Sequence, residues 1–301
     1  MSINKEDLIK KVIFQMQKKY AFPCIKQLNE ESIPYAVIKG VMLSKLAYSS
    51  FDQRNPCDID LLIPREYLPQ VERILNQNGF VRKDESRIQH LITSCFSHQT
   101  LPLVKIVHSY PIIFDCNYDI FWGEYTGKRV SIKDFLTKAI RIPVGTTFIN
   151  TLAPKEALIQ LALHHYKDMN SIYLLATKKC FSINKFADVF HLLLNNIDEI
   201  SVTELYNTSA EYGIIPYIYY VLFYTEKIFK NALLSKYVKA FRTDEGDYLL
   251  NCYGLCETER KEWKCDFKTR LHKSNLLMEM LPDLSKRDIQ KIEINRTVFL
   301  R

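Results

Sequence analysis

Asp58-Ile59-Asp60-Leu61-Leu62-Ile63 is the segment that most narrows what this chain can be. Ile59–Ile63 reads as a strand stopped by Pro64, yet two aspartates stand at its start. Side chains alternate along a strand, so Asp58 and Asp60 share one face, roughly 6.5–7 Å apart. Aspartate is disfavoured in strands, and two on one face repel each other unless a cation sits between them. A divalent ion removes that penalty. Mg2+ takes one or two carboxylates plus waters and phosphate oxygens. Two such ions about 3.5–4 Å apart can clamp an in-line phosphoryl displacement. The plain alternative is the solvated start of a strand, with Asp58 as a turn residue after Asn55-Pro56.

A third acid lies in Ile112-Ile-Phe-Asp115-Cys-Asn117, a second apolar strand. A neighbouring strand can bring Asp115 beside the first pair, as a metal ligand or as general base for an attacking hydroxyl. Its alternative is an acid at a hairpin end facing water, and Asp119 is the rival candidate. Lys39-Gly40 falls where the strand Tyr35–Lys39 meets a helix over Val41–Tyr48. A helix N-terminus offers N–H groups and partial positive charge to a phosphate. Gly40 lets a triphosphate approach the backbone, Lys39 and Arg54 supply cations, and Ser44, one turn into the helix, assists. The plain alternative there is a turn glycine.

Composition removes other chemistries. Eight glycines in 301 residues are far below the typical ~7%, and no G-x-G-x-x-G, H-E-x-x-H or G-x-S-x-G occurs. Gly123, Gly127 and Lys128 resemble a P-loop, but the spacing is short by one and Arg129 replaces Ser/Thr. A net charge of +7 without a polybasic run permits an anionic ligand such as a nucleotide without demanding nucleic acid. Eight scattered cysteines read as reduced thiols. The spacing Cys252-x3-Cys256-x8-Cys265-x6-His272 offers zinc three thiolates and an imidazole, but lacks the paired C-x2-C knuckle. The N-terminus has no apolar signal segment and the longest apolar runs are too short for a membrane span. The expectation is a cytoplasmic protein without a membrane partner.

The coarse pattern is α+β. Residues 5–20 are amphipathic at helical period, with Leu8, Ile9, Val12, Ile13 and Met16 on one side. A further helix follows Pro23. Glu66–Gln77 reads as a helix closed by Asn78-Gly79, Phe80–Lys83 as a third strand, and Leu103–His108 with Ile112–Asn117 as a hairpin turning at Ser109-Tyr110-Pro111. Residues 30–125 therefore suggest a small mixed sheet with flanking helices. Beyond about residue 148 the chain reads as an α-helical lobe: 154–169, 183–196, 202–212 and 214–230. Pro216 falls in the first turn of the last of these. Tyr217, Tyr219, Tyr220, Phe223 and Tyr224 recur at helical spacing and read as core. The final 60 residues are helical in part.

Lys39-Gly40, Leu43, Tyr48, Arg54 and Asp58-Ile-Asp60-Leu-Leu-Ile63 together resemble the K-G…Y…R…D-I-D-L-L-V signature of the uncharacterised bacterial nucleotidyltransferase family, within the polymerase-β-like minimal nucleotidyltransferases. Phe114-Asp115-Cys-Asn117 is similar to its V-D-L-H-W segment, with Asn117 where His is usual. Leu152-Ala-Pro-Lys-Glu156 followed by Leu158–His164 resembles its S-P-E-D…L-L-H-L…H helix. Phe186-Ala-Asp188-Val-Phe-His-Leu192 resembles its L-x-D-L-x-x-L element. The resemblance spans roughly residues 30–195.

It implies a nucleotidyltransferase catalytic domain over 1–148, palm-like, and a helical domain over 149–301. It implies transfer of a nucleoside monophosphate from an NTP to a hydroxyl acceptor, with two Mg2+ ions and release of pyrophosphate. Asp58, Asp60 and Asp115 would be the metal ligands and catalytic carboxylates. Two departures stand out. Lys39-Gly40 replaces the wider superfamily's G-G-[ST] or G-S turn, and Asn117 removes an ionisable group near the site.

His164 matches a family position and is read as reaching the nucleotide, with a core or surface histidine as its alternative. Lys185, three residues before Asp188, is read as steadying the nucleotide-facing surface, with a plain intrahelical pair as its alternative. The acceptor is open: a small molecule, a natural product or a protein side chain. A toxin-like transferase acting on tRNA is the second enzyme reading, which the modest charge does not favour. A nucleotide-binding or interaction protein without turnover is the reading from another class.

Overall fold

The computed structural model describes residues 5–54, 58–82, 98–121 and 128–299. Asn55, Pro56, Lys83, Gly123 and Gly127, named above, and Cys57 and Cys95 of the eight cysteines lie outside the described residues. The chain divides into two compact units, Met1–Ile120 with Val130–Ala157, and Phe121–Arg129 with Leu158–Arg301.

The first unit opens with helices α1 (Lys5–Tyr20) and α2 (Phe22–Glu30), then strand β1 (Ala36–Ile38), helix α3 (Gly40–Tyr48) and strand β2 (Ile59–Leu62). A short 3-10 turn at Arg65–Tyr67 leads into α4 (Leu68–Gln77), followed by β3 (Val81–Arg82), β4 (Leu103–Val107) and β5 (Tyr110–Asn117). The five strands form one mixed sheet in the order β1-β2-β5-β4-β3. Only the β2–β5 pair is parallel. Next come α5 (Ile132–Thr137) and a second hairpin, β6 (Ile140–Val144) with β7 (Thr147–Thr151).

Strand alternation explains how the sheet sorts its residues. Val37, Ile59, Leu61, Ile63, Ile112, Phe114 and Cys116 enter one core with Phe22, Ile25 and Leu28 of α2 and Val71, Ile74 and Leu75 of α4. Each large apolar side chain buried there contributes about 1.5–3 kcal/mol. The same period of two puts Ile38, Asp60 and Asp115 on the other face, in one row across β1, β2 and β5.

Three expectations are corrected. The β4–β5 turn is His108-Ser109, both at positive φ (47° and 66°), and Tyr110 and Pro111 belong to β5. A two-residue turn with left-handed residues matches the strand twist. Pro111 is tolerated because β2 pairs only with Phe114–Asn117, leaving that end of β5 one neighbour. The α1 helix has the expected period, but Leu8, Ile9 and Val12 are exposed. Ile13 is buried and Met16 packs against the core as expected, and Gln17 and Phe14, the latter on Phe22 and Phe51, complete the inner side. The β6–β7 hairpin was not expected from the sequence. It turns at Gly145-Thr146, and Thr151 Oγ1 donates to the Val37 carbonyl at 2.8 Å.

In the second unit α6 (Pro154–Asn170), which begins in the first, is followed by α7 (Ile172–Thr177), α8 (Ile183–Asn195), α9 (Val202–Glu211), α10 (Ile215–Phe229), α11 (Ala232–Phe241) and α12 (Asp244–Leu250). The two-residue strands β8 (Cys252–Tyr253) and β9 (Lys261–Glu262) pair antiparallel, and α13 (Phe267–His272), α14 (Leu277–Met280) and α15 (Lys286–Phe299) complete it. Side-chain caps from Ser171, Ser201, Asn231, Thr243 and Asp266 fix five of these helix starts. The tyrosines of α10 are core: Tyr217, Tyr219, Tyr220 and Tyr224 are buried. No described helix is long and apolar enough to cross a membrane.

Candidate active site

The β1–α3 turn is the first part of the site. Lys39 sits at φ +55° and Gly40 at φ +40°. A Cβ on Gly40 would lie 3.2 Å from the Asp58 main-chain oxygen. Glycine thus meets two demands at once, a left-handed backbone and close approach to the chain entering β2. No side chain caps the N-terminus of α3, so its first N–H groups keep the character that suits a phosphate.

The carboxylates come next. Asp60 and Asp115 are Cα partners across the parallel β2–β5 ladder. Asp60 is buried and Asp115 partly so. Burial, then the charges of Asp60 and Asp58, push the Asp115 carboxyl up to about 7 against the pull of Lys39. Burial and the Asp60 charge also raise Asp58, opposed by Lys39 and Arg54. Asp115 therefore feels both other acids and Asp58 feels Asp60, which puts the three carboxylates within electrostatic reach of one another.

Two side chains hold Asp60. Lys39 Nζ donates to its Oδ1 at 3.0 Å, with both side chains largely shielded. Asn117 Nδ2 reaches the same oxygen at 3.3 Å and the main-chain oxygens of Asp115 and Leu61 at 3.2 and 3.4 Å. Sequence reasoning read Asn117 only as a lost ionisable group and did not find this bridge. The signal was present: Asn117 is two residues after Asp115, hence on the same strand face. The Lys39–Asp60 pair was also missed, because the lysine was read only against phosphate.

Ser44 is fully buried and accepts the N–H groups of Gln53 and Arg54 at 3.1 and 3.3 Å. Its hydroxyl anchors the loop that carries Arg54. Asp119 lies two residues beyond the end of β5.

His164 and Lys185 belong to the second unit, where both meet Asp168. Lys185 Nζ lies 2.6 Å from Asp168 Oδ2 and His164 Nε2 lies 3.5 Å from it. Lys185 thus pairs between helices with Asp168. Burial alone would push the Asp168 carboxyl up, but Lys185 and Lys167, the hydrogen bond from Lys185 and then His165 outweigh it and hold it at about 2. Asp168 was missed, although it stands four residues after His164 on one helix face.

Among the described residues no group of three or more His, Cys, Asp or Glu side chains is gathered tightly enough to hold a metal ion. That statement covers Cys252, Cys256, Cys265 and His272, and equally Asp58, Asp60 and Asp115, which bear on one another electrostatically without forming a closed ligand set. Cys252 is buried in β8, while Cys256 and Cys265 are partly exposed.

A family model described as uncharacterised nucleotidyltransferase matches residues 21–230. The chain belongs to that family. A search of curated proteins returns no match.

Proposed function

We propose that this nucleotidyltransferase-family chain moves a nucleoside monophosphate from an NTP onto a hydroxyl acceptor and releases pyrophosphate. The observation that carries the reading is the Asp60–Asp115 pairing, with Asp58 within electrostatic reach on the same face. A cluster of carboxylates in which Asp58 and Asp115 are raised by burial and by neighbouring acids is unfavourable as a resting arrangement and suits a cation.

The donor chemistry fits Mg2+. All three groups are hard oxygen ligands, and Lys39, bonded to Asp60, and Arg54, acting on Asp58, offset only part of their charge. Asp58, Asp60 and Asp115 would hold the ion or ion pair. Bound there, Mg2+ supplies charge neutralisation to the triphosphate and to the developing negative charge.

The remaining steps belong to the chain's own residues. The α3 N-terminus, opened by Gly40, receives phosphate oxygens, and Lys39 and Arg54 counter their charge. Ser44 keeps the Arg54 loop in place. Asp115 would take the acceptor's proton; its rise to about 7 belongs to the site without a cation, and a bound ion would draw it down into the ionised form a base needs. The acceptor oxygen forms a bond to the α-phosphorus, the bond from that phosphorus to the β-phosphate oxygen breaks, and pyrophosphate leaves with the electron pair. Asn117 keeps Asp60 aimed at the shared face. Catalysis then rests on positioning and charge compensation, as in phosphoryl transfer generally.

The test uses each α-labelled NTP with Mg2+ and a native cell extract as acceptor source. Label transferred to an extract component, matched by pyrophosphate and lost in Asp60→Asn and in chelator, is the expected result. Nucleotide binding without pyrophosphate release from any NTP would contradict the proposal.

A further inference from the structure

The second unit buries a cation that has no counter-ion among the described residues. Arg270, on α13, is 5% exposed. Its guanidinium carbon lies 4.9 Å from the ring centre of Trp263, 5.2 Å from Tyr224, 5.3 Å from Phe181 and 5.6 Å from Phe267. One donor is used: Nη2 bonds the Tyr224 hydroxyl at 2.9 Å. That hydroxyl in turn donates to the Leu250 carbonyl. Arg270 Nε and Nη1 are buried and meet no acceptor, and neither does the indole N–H of Trp263.

No carboxylate among the described residues stands within ion-pair distance of this guanidinium. Asp266, one turn earlier on the chain, feels the charge of Arg270. It is committed to capping α13, accepting the Thr269 N–H at 2.7 Å. Tyr253, whose ring centre is 4.5 Å from that of Trp263, also has a buried hydroxyl without a partner. Asp283 and Asp288 bear on Tyr253 and help raise its hydroxyl, after burial. The missing acceptor therefore belongs on the Arg270 and Trp263 side of this cluster.

Ring faces offset part of a buried guanidinium's lost hydration through cation–π attraction. They do not satisfy its in-plane N–H groups, which need acceptors. The unmet groups of Arg270 and Trp263 are donors only. A water molecule donates as well as accepts and brings no charge. An oxyanion only accepts, and it also neutralises the guanidinium.

We infer that Arg270 and Trp263 form a binding site for a small oxyanion inside the second unit. Phosphate and carboxylate oxygens share this chemistry, and the experiment separates them. The full chain carries two tryptophans, so a Trp122→Phe background leaves Trp263 as the reporter. Inorganic phosphate and acetate are titrated separately, against chloride at equal ionic strength.

The expected result is a saturable change in Trp263 emission with one or both oxyanions. The melting temperature rises with it, by about 3–8 °C near saturation. Arg270→Met abolishes the emission change and Arg270→Lys retains part of it. A response to phosphate alone assigns a phosphate-type ligand, and a response to both assigns a general oxyanion. Phosphate that raises the melting temperature without an emission change, or with one that Arg270→Lys leaves untouched, is bound elsewhere and overturns the inference. Equal behaviour in phosphate, acetate and chloride also overturns it, and ordered water then fills the site. If Arg270→Met does not fold, the titrations of the parent chain and of Arg270→Lys decide.

Discussion

Asp60 and Asp115 stand directly opposite each other on adjacent parallel strands, so two carboxylates project side by side from the same face of the sheet. Their mutual repulsion, added to burial, lifts the Asp115 carboxyl to about 7. Its folded-state value is above the unfolded one, so the fold holds an extra proton between the two. The associated stability is complete below about pH 4 and is lost as pH rises through about 7. Asp115→Asn removes that loss. In chelator, the variant is expected to be more stable than the parent at pH 8 by on the order of 1–3 kcal/mol, and equal to it at pH 4. Nucleotidyl transfer falls at least about 100-fold in the same variant, on the scale expected for loss of general-base catalysis. Thermal melts at the two pH values check the first part. Equal stability at pH 8 would contradict the repulsion.

Lys39 is the counter-charge that makes the buried Asp60 tolerable, at 3.0 Å. Lys39→Met keeps the stem and removes the ammonium. Leaving a buried charge with a weaker partner set costs about 2–3 kcal/mol, less than a fully buried broken pair because Lys39 is partly wet. Denaturant unfolding at pH 7 measures it. Since an uncharged amide does not need the ammonium, Asp60→Asn in the Lys39→Met background should restore much of the loss. Failure to restore would mean the lysine acts through something other than Asp60.

Gly40 is required by both backbone and space. Gly40→Ala puts a side chain at φ +40° and 3.2 Å from the Asp58 carbonyl oxygen. The expected loss is about 1–2 kcal/mol in stability. It comes with a raised KM for the NTP and a smaller change in kcat. A variant with unchanged KM would place the phosphates away from this turn.

The sequence made the sheet readable where chemistry and periodicity coincide. Asp58 and Asp60 had to share a face because strands alternate, and Gly40 had to mark the turn because a strand runs straight into a helix there. Other features depend on partners that a single strand or helix does not reveal. The His108-Ser109 turn has positive φ at both residues without the glycine or asparagine that signals it. The β6 strand was not read from the sequence, although Ile140, Ile142 and Val144 alternate; Pro143 within it is a residue disfavoured in strands. On α1 the period was right and the buried side only half so: Ile13 and Met16 face the core, while Phe14 and Gln17 take the places expected of Leu8, Ile9 and Val12. Asn117 was visible as a departure from the family pattern, but its hold on Asp60 needs the β2–β5 register.

Asp168 is a structural prediction for the second unit. Lys185 and Lys167, acting against burial, hold its carboxyl at about 2, below the unfolded value. It therefore stabilises above that unfolded value, and the contribution disappears as pH falls from about 4 through 2. Asp168→Asn is expected to lose on the order of 1–2 kcal/mol at pH 7, with the gap to the parent closing as pH falls through that window. A constant gap across pH 7 to 2 would mean the lost stability is packing rather than charge.

The central claim is that carboxylates from β2 and β5 converge on one divalent cation. Mn2+ binding followed by electron paramagnetic resonance tests it without waiting for the acceptor to be found. The account predicts saturable Mn2+ binding by the parent chain, displaced by Mg2+ and weakened at least about tenfold by Asp58→Asn, Asp60→Asn and Asp115→Asn alike. Binding that survives Asp115→Asn unchanged while Asp60→Asn abolishes it would contradict convergence, because the ion would then rest on β2 alone.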